Sequence, residues 1–326
     1  MHDEVFLTGA TGFVGGHVLS ALLDHGYQVR ALARDGRARV TEQPGCTVAR
    51  GDLRDPGGLV DALRGCRYLV HTAAMYSFAP RDRQRIMDVN VRGTEGLLEA
   101  ARIAGIERAV VTSSSAAVGP ATASGPATEE DWADSHHTAS AYHHSKVLQE
   151  RVALAARLPV ITLLPTAPLG ADDHRPTPTG RMVLDVMRGR IWGTLGGGMN
   201  VVDVDDVARA HVAALERGRP RQRYLAGGVN LSLAELWRLI ASVAGRAAPR
   251  VRIPFAVAAL AGAADELRCR ATGADPRVPL EGVRMGRLQM YVSSAKATHE
   301  LGYRASPILP AIEHAVAWYR THGYAA

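Results

Sequence analysis

The sequence is poor in several residue types on which particular classes of protein depend. Its 326 residues include three cysteines, Cys46, Cys66 and Cys269, which lie far apart and form no CxxC pair. This distribution predicts no disulfide framework and no metal site, and it indicates a reducing compartment, so we expect a cytoplasmic protein. Aromatic residues make up 5% of the chain, which does not favour a binding pocket built mainly on aromatic stacking.

Long apolar runs are also missing. The longest, such as FAVAALAGAA near residue 255, stop well short of a membrane span, so we expect no stable membrane insertion. We interpret this run as an apolar wall of a substrate site or as core. The N-terminus, MHDEVFLTGATG, has acids before its short apolar run, which predicts a first strand rather than a signal peptide.

Clusters of positive charge are absent although the formal net charge is +6. Basic residues are scattered, and no run of five or six occurs. The densest segment, RGRPRQR at 217–223, is typical of a solvated loop after a helix. We therefore expect a small-molecule substrate and no nucleic-acid partner, while the charge is compatible with an anionic cofactor.

Lysine is the scarcest charged residue, since the chain has thirty-six arginines and only Lys146 and Lys296. Lys146 ends AYHHSK, residues 141–146, four residues after Tyr142. On a helix these two side chains share a face. An ammonium beside a phenol favours the phenolate and so lowers the pKa of the phenol. Arginine, planar and bulkier, would not fill this place and also contact a ribose hydroxyl.

The first half alternates β-rich runs with helix-length segments. This predicts an α/β fold with a Rossmann-type, doubly wound parallel sheet. We expect strands at 5–10, 27–34, 46–52, 67–74, 108–115 and 159–165, and helices at 13–26, 57–65, 90–105 and 142–157.

The second half is less regular and predicts a smaller, discontinuous C-terminal substrate lobe. We expect residues 1–165 and about 200–228 to form the dinucleotide-binding domain. Residues of about 166–199 and 229–326 would form the substrate lobe.

A glycine motif, TGATGFVGG, follows the first strand and opens the first helix. In this context glycines allow a tight turn and a close approach to a pyrophosphate at the helix N-terminus, although a tight β–α turn alone would also use them. We expect cofactor contacts from Gly9, Thr11, Gly12, Phe13, Val14 and Gly15.

The end of the second strand carries Arg34 where NAD enzymes usually have an acid. An arginine can pair with a 2′-phosphate, which favours NADP(H). Asp35 follows and could still reach a ribose, so NAD stays possible, and Arg34 could simply be a surface charge. Further cofactor contacts are expected after the next two strands, from Asp52 and Leu53 near the adenine and from Thr72, Ala73 and Ala74.

The segment TSSS, residues 112–115, ends the strand before the Tyr142 helix. A serine hydroxyl there can hold a substrate oxygen against the tyrosine. Spacing alone does not say which serine does so.

Taken in order, the glycine motif, GDLRD, TSSS and YxxxK resemble the extended short-chain dehydrogenase/reductases, the NAD-dependent epimerase/dehydratase family, over essentially the whole chain. Later segments such as LLPTAPLG (163–170) and NVVDVDDVARAHVAALERGRP (200–220) are similar to hopanoid-associated sugar epimerases and dihydroflavonol-4-reductase-like enzymes. The family pattern has a histidine where this chain has Asp203.

The resemblance implies a catalytic Ser114, with Tyr142 as general acid/base and Lys146 as its partner. It also implies that Pro165 and Thr166 line the nicotinamide. Asn90, which it places at a kinked helix start near the site, is expected to contact the cofactor as well. Finally, it implies a homodimer formed by the helices near 92–104 and 142–157.

The reaction is either carbonyl reduction by NADPH or sugar epimerisation with a retained NAD. Arg34 and the Pro165–Thr166 pair favour the reductase. A catalytically silent NADP-binding regulator is a third hypothesis, opposed by the presence of both Tyr142 and Lys146. Plausible substrate contacts are Tyr76, Ser115 and Arg181, which do not identify the substrate.

Overall fold

The structure, a computed structural model, describes residues 3–34, 43–77, 80–134, 140–273 and 280–324. Its strands, numbered in chain order, are β1 (Glu4–Thr8), β2 (Gln28–Ala33), β3 (Cys46–Arg50), β4 (Tyr68–His71), β5 (Arg108–Thr112), β6 (Val160–Pro165), β7 (Ala167–Leu169), β8 (Gly193–Thr194), β9 (Gly198–Asp203), β10 (Arg223–Ala226), β11 (Val229–Ser232), β12 (Val251–Arg252) and β13 (Gln289–Met290).

The α-helices are α1 (Phe13–Asp24), α2 (Leu59–Leu63), α3 (Arg83–Met87), α4 (Gly93–Ala104), α5 (Ala141–Ala155), α6 (Pro178–Met187), α7 (Val204–Arg217), α8 (Leu233–Ala244), α9 (Phe255–Thr272), α10 (Leu280–Met285), α11 (Ala295–Leu301) and α12 (Ile308–Thr321). One π-helical turn, Asp88–Arg92, joins α3 to α4.

Seven strands form the central sheet in the order β10-β6-β5-β4-β1-β2-β3. Every neighbouring pair is parallel. The chain builds outward from β1 through β2 and β3, then returns to β4 on the other side of β1. Ligands of such sheets bind at the carboxyl ends of the strands where the order reverses. The predicted Rossmann-type, doubly wound fold is confirmed.

Two apolar layers cover the sheet because side chains of a strand alternate between its faces. Val5 and Leu7 of β1 pack on one face with residues of α1, α7 and α11, such as Val18. Phe6, between them, packs on the other face with residues of α2, α4 and α5, such as Leu97. Burial on both faces explains why these strands are continuous apolar runs.

A second sheet holds β11, β9, β13 and β7, drawn from separate parts of the second half of the chain. Helices α6, α8 and α12 pack against one another beside it and form a third apolar cluster, which includes Val183, Ile240 and Ile312. The short strands β8 and β12 pair separately.

Two local predictions are wrong. The helix expected at 90–105 continues a helical segment that begins at Arg83, because RQRIM consists of good helix formers. Asn90 therefore lies inside the π turn and not at a helix start. For the run FAVAALAGAA the core alternative is wrong, since only Gly262 of α9 is buried and Leu260 is 74% exposed. The alternative of an apolar wall of a substrate site stays a prediction.

None of the helices in the described ranges is both long and apolar enough to cross a membrane.

Candidate active site

The candidate site lies at the edge of the sheet where β1, β4, β5 and β6 end. Because these strands are parallel, the loops that follow them meet at this edge. The loops carry the glycine motif, Thr72–Tyr76, Ser113–Ser115 and Pro165–Thr166.

The glycine loop is held tightly against the loop after β4. Gly9 has a φ of +83°, and a Cβ on it would lie 2.5 Å from Thr72 Oγ1. A Cβ on Gly15 would lie 2.0 Å from the Gly9 carbonyl oxygen, so neither position accepts a side chain. Gly12 is the N-cap residue of α1, and no side chain caps the amides of the first helical turn. The first amides of α1 are thus left without a side-chain acceptor and fit a phosphate group.

The other predicted members of this loop differ in exposure. Thr11 is exposed, whereas Phe13 and Val14 are half-buried. Val14 packs against the apolar core and the Phe13 ring meets the His17 ring edge-on. These two side chains anchor the start of α1.

The loop after β4 is joined to β1. Thr72 Oγ1 donates to the Thr8 carbonyl oxygen at 2.7 Å, and the Ala73 amide approaches Thr8 Oγ1 at 3.4 Å. Ala74 is exposed. The structure thus brings Thr72, Ala73 and Ala74 beside the glycine loop.

The outer end of the edge carries Arg34 and Asp52. Arg34 directly follows β2 and is exposed. Hydrogen bonds from Arg54 hold the pKa of Asp52 at about 2, with help from the charge of Arg34 and against burial. Sequence reasoning missed Arg54 as the partner of this carboxylate. Leu53 is buried next to α4, and Asp35 lies outside the described residues.

Tyr142 and Ser114, the two residues predicted to react and called here the reactive pair, lie at the centre of the edge. Ser140 caps α5 by accepting from the His143 amide, which places Tyr142 in the first helical turn. The Ser114 side chain lies near enough to the Tyr142 phenol to act on its pKa. Burial raises the pKa of Tyr142 to about 12, and the Ser114 side chain acts in the opposite direction. Contrary to expectation, the Lys146 ammonium, whose Nζ is bonded to Thr112 and Gln149, does not contribute to this pKa shift.

Lys146 lies one turn further along α5 and is 3% exposed. Its Nζ donates to the Thr112 carbonyl oxygen at 3.1 Å and to Gln149 Oε1 at 2.8 Å. Burial lowers the pKa of Lys146 to about 8, while the Glu150 carboxylate raises it. The ammonium is therefore held in place but is readily deprotonated.

The side chain of Asn90, which is predicted to contact the cofactor, is bonded to two neighbouring segments of the protein. Its Oδ1 accepts from the Met75 amide at 2.7 Å, and its Nδ2 donates to the Met75 carbonyl oxygen and to Ser145 Oγ, each at 3.0 Å. The side-chain amide is thus engaged by protein groups. It fastens the loop after β4 to the helix that carries Tyr142.

A buried ion pair supports the same helix. Arg223 Nε of β10 donates to Glu150 Oε1 at 2.9 Å, and Ser113 and Thr162 donate their hydroxyl hydrogens to the same carboxylate. The Arg223 guanidinium lies 3.7 Å from the centre of the Trp132 ring. Glu150 was missed from the sequence, although its spacing of four residues from Lys146 puts both on one helix face.

The predicted substrate contacts separate into two groups. The Tyr76 ring centre lies 4.4 Å from that of Tyr142, and Ser115 begins a short 3-10 turn directly after Ser114. Arg181 is exposed on α6, and its Nε donates to the Pro176 carbonyl oxygen. The first two residues thus adjoin the reactive pair, whereas no contact joins Arg181 to it.

Five further positions near the site have the following surroundings. Pro165 ends β6 and is buried, and Thr166 donates to Asn200 Oδ1 at 2.9 Å. His143 is buried and bonded to Ser140, while His144 is exposed. Asp203, at the family's histidine position, caps α7 by accepting from the Asp205 amide. A helix cap is a role that aspartate fills well.

Comparisons with known proteins identify the family of the chain. The model of the NAD dependent epimerase/dehydratase family matches residues 5–227. A putative dihydroflavonol 4-reductase from Synechocystis sp. is 36% identical, with 99% of this chain and 96% of the relative covered. The crystal structure of gox2253 matches with a TM-score of 0.87 and 38% identity, covering 99% of both chains. PA4631, a nucleoside-diphosphate-sugar epimerase from Pseudomonas aeruginosa, matches with a TM-score of 0.81 and 26% identity over 99% of both chains.

Proposed function

The chain belongs to the NAD dependent epimerase/dehydratase family, and from that premise we propose that it is an NADP(H)-dependent reductase of a ketone or aldehyde. The observation that carries the proposal is that Ser114 and Tyr142 lie together at one edge of the sheet, with the buried Lys146 one turn away and its Nζ held by the Thr112 carbonyl oxygen. Such a constellation suits hydride transfer coupled to protonation of an oxygen.

The nucleotide fits the uncapped N-terminus of α1 and the tight glycine loop. Arg34 would hold the 2′-phosphate, and Lys146 has one N–H left for a ribose hydroxyl, since its two described bonds use two of three hydrogens. The remaining residues proposed to hold the cofactor are Gly9, Thr11, Gly12, Phe13, Val14, Gly15, Asp52, Leu53, Thr72, Ala73, Ala74, Asn90, Pro165 and Thr166.

When bound, a reduced nicotinamide cofactor would supply the hydride that the carbonyl carbon accepts. Ser114 Oγ holds the carbonyl oxygen by donating to it, and Tyr142 Oη donates the proton that the new alkoxide takes up. The Lys146 ammonium stabilises the phenolate left on Tyr142. Because burial keeps the pKa of Tyr142 at about 12, the phenol stays protonated at neutral pH and suits a proton donor.

A nucleotide-sugar epimerase with a retained NAD is the second candidate, and the likeness to PA4631 favours it. We prefer the reductase because Arg34 ends β2 and because the Synechocystis relative carries a reductase name. The aromatic contact of Tyr76 with Tyr142 would then lie against the substrate. Ser115 is proposed to line the same space.

Two further parts of the proposal concern organisation. Residues 1–165 and about 200–228 would hold the nucleotide, and about 166–199 with 229–326 would hold the substrate. A homodimer would form through α4 and α5, where Ile103 is 57% exposed and Leu148 and Val152 are half-buried. Light scattering that shows a monomer at micromolar concentration would contradict the dimer.

Carbonyl reduction is tested by following NADPH oxidation with a panel of ketones and aldehydes. We expect turnover with wild type and with Tyr27→Phe, a matched tyrosine at the amino end of β2, and a loss of about 10³-fold with Tyr142→Phe. Equal activity of Tyr142→Phe and Tyr27→Phe would contradict the assigned proton donor. Absence of NADPH oxidation with every carbonyl, together with epimerisation of a nucleotide sugar, would establish the second candidate.

Cofactor preference is tested on Arg34. We expect Arg34→Ala to weaken NADPH binding about 10- to 100-fold and to leave NADH binding unchanged, because only NADPH carries the 2′-phosphate. Arg238→Ala, an exposed arginine on α8, is the control. An equal loss of affinity for NADPH and for NADH in Arg34→Ala would contradict the proposed role of Arg34.

A further inference from the structure

A continuous chain of buried side chains links Lys146 to the strand before the glycine loop. It runs from Lys146 through Gln149 and Thr94 to His71 and Thr8. The last four side chains are each 0% exposed. The chain crosses α5, α4, β4 and β1, and none of its members between Lys146 and Thr8 has a part in the reaction described above.

The direction of each hydrogen bond in this chain follows from one hydroxyl group. Thr94 Oγ1 has a single hydrogen, which it donates to the Asn90 carbonyl oxygen at 2.7 Å. Its contacts with Gln149 Nε2 at 3.0 Å and His71 Nε2 at 2.9 Å must therefore be bonds that Thr94 accepts. Thr94 can accept both through its two lone pairs.

This fixes the orientation of the Gln149 amide. Its NH₂ group must point to Thr94, so its Oε1 must point to Lys146, where it accepts at 2.8 Å. A flipped amide would place two sets of donor hydrogens against each other at Lys146. The orientation is thus set by hydrogen bonding and not chosen freely.

The same logic fixes His71. Its Nε2 carries the hydrogen that Thr94 accepts, so its Nδ1 accepts from Thr8 Oγ1 at 2.6 Å. Thr8 Oγ1 in turn faces the Ala73 amide at 3.4 Å, beside the glycine loop. Burial lowers the pKa of His71 to about 3, so the ring stays neutral and holds this single tautomer.

We propose that Gln149, oriented by Thr94, is a positioning residue that holds the Lys146 ammonium at the reactive pair, with His71 tying this support to the cofactor loop. The inference deepens the proposed function, since it gives Lys146 its place in that reaction. Held by Thr112 and Gln149, Nζ keeps its third hydrogen for the ligand.

The charged and titratable groups around Lys146 show why a neutral acceptor is used. Glu150 lies one turn further on α5, paired with Arg223 of β10, and Tyr142 lies one turn before. His71 of β4 faces Lys146 and is neutral. A second carboxylate at position 149 would bind the ammonium more strongly and hold its charge away from Tyr142.

The scarcity of lysine makes a direct test possible. Protein labelled with ¹³C-lysine has signals from only Lys146 and Lys296, and Lys296→Arg assigns them. Titration of the Lys146 signal reports its pKa without any substrate. We expect Gln149→Met to lower this pKa by about one pH unit, because the ammonium loses an acceptor.

Two substitutions of Thr94 test the orientation of the Gln149 amide through the pKa of Lys146. Thr94→Val keeps the shape but removes the hydroxyl, so the Gln149 amide is no longer oriented and the pKa of Lys146 should also fall. Thr94→Ser keeps the hydroxyl and should restore the wild-type pKa. Val147→Ala, a small truncation on the same helix outside the chain, should leave it unchanged.

In steady-state kinetics we expect Gln149→Met and Thr94→Val to lower kcat about tenfold or more. The alkaline limb of the pH profile of kcat should move to lower pH by as much as the pKa of Lys146 falls. A lysine pKa that is equal in Thr94→Val and Thr94→Ser, or in Gln149→Met and Val147→Ala, would overturn the proposal. If the lysine shifts occur as expected but no carbonyl is reduced, the positioning role stands and the proposed function fails.

Discussion

Helices α5 and α9 are opposites in sequence and in environment. Helix α5 reads AYHHSKVLQERVALA and buries His143, Ser145, Lys146, Gln149 and Glu150 among its polar side chains. Helix α9 reads FAVAALAGAADELRCRAT and buries only Gly262. Hydropathy alone would have placed the two helices the other way round.

The difference shows that partners, and not apolarity alone, decide which helix is buried. Within the described ranges, every fully buried side-chain nitrogen or oxygen has a hydrogen-bond partner. Polar groups of α5 can be buried because Thr94, Asn90, Arg223 and Thr112 satisfy them. The contacts of α9 are mainly with α10, where Gly262 allows close approach to Leu280.

The largest effect should come from breaking the buried ion pair of α5. Glu150→Ala leaves Arg223 buried without its carboxylate, so the free energy of unfolding should fall by about 3–5 kcal/mol in chemical denaturation. The control on α9 is Glu266→Ala, which removes a partner of the exposed Arg270 and should leave the midpoint nearly unchanged. Similar losses in both variants would contradict the contrast between the helices.

The second largest effect should be a loss of activity when the buried Lys146 is replaced. Lys146→Arg keeps the charge but puts a planar guanidinium where Thr112 and Gln149 hold a compact ammonium. We expect kcat to fall about 100-fold, measured at saturating NADPH. Retention of wild-type kcat would mean that only the charge of residue 146 matters.

The pH dependence should reveal the same lysine. Burial lowers the pKa of Lys146 to about 8, so the ammonium is present below that pH and is lost above it. We expect kcat for carbonyl reduction to fall by about tenfold per pH unit above this value. The alkaline limb should disappear in Lys146→Arg, whose guanidinium stays charged. A limb that persists in that variant would have to belong to another group.

The smallest effect should come from the apolar surface of α9. Leu260 and Leu267 are 74% and 68% exposed, so serine at either position should change the free energy of unfolding by about 0.5 kcal/mol or less. Leu97→Ser on α4, at a buried position, is the contrasting substitution and should destabilise strongly. A large loss with Leu260→Ser would mean that α9 is buried against a partner in solution.

The sequence predicts most of the sheet because its strands are apolar runs separated by helical patterns. The glycine motif, Tyr142 and Lys146 are predicted from local spacing and residue type, whereas Ser114 is predicted only through the family resemblance. The structure places all of them at one edge.

Local spacing does not define the buried polar chain. Thr94 and His71 are ordinary residues in a helix and a strand, and only the packing of α4 against β4 and α5 joins them to Lys146. The Asn90 bonds to Met75 and Ser145, which fasten the π turn to its surroundings, are equally remote from sequence patterns. The exposure of α9 likewise depends on what packs near it.

The nucleotide that accompanies the purified protein tests the central claim most directly. The protein is denatured, and the released nucleotide is identified and counted by mass spectrometry, with NADPH and NADH affinities measured alongside. A reductase that exchanges its cofactor predicts little bound nucleotide and much tighter binding of NADPH than of NADH. Nearly stoichiometric NAD would contradict this account and identify an epimerase that retains its cofactor.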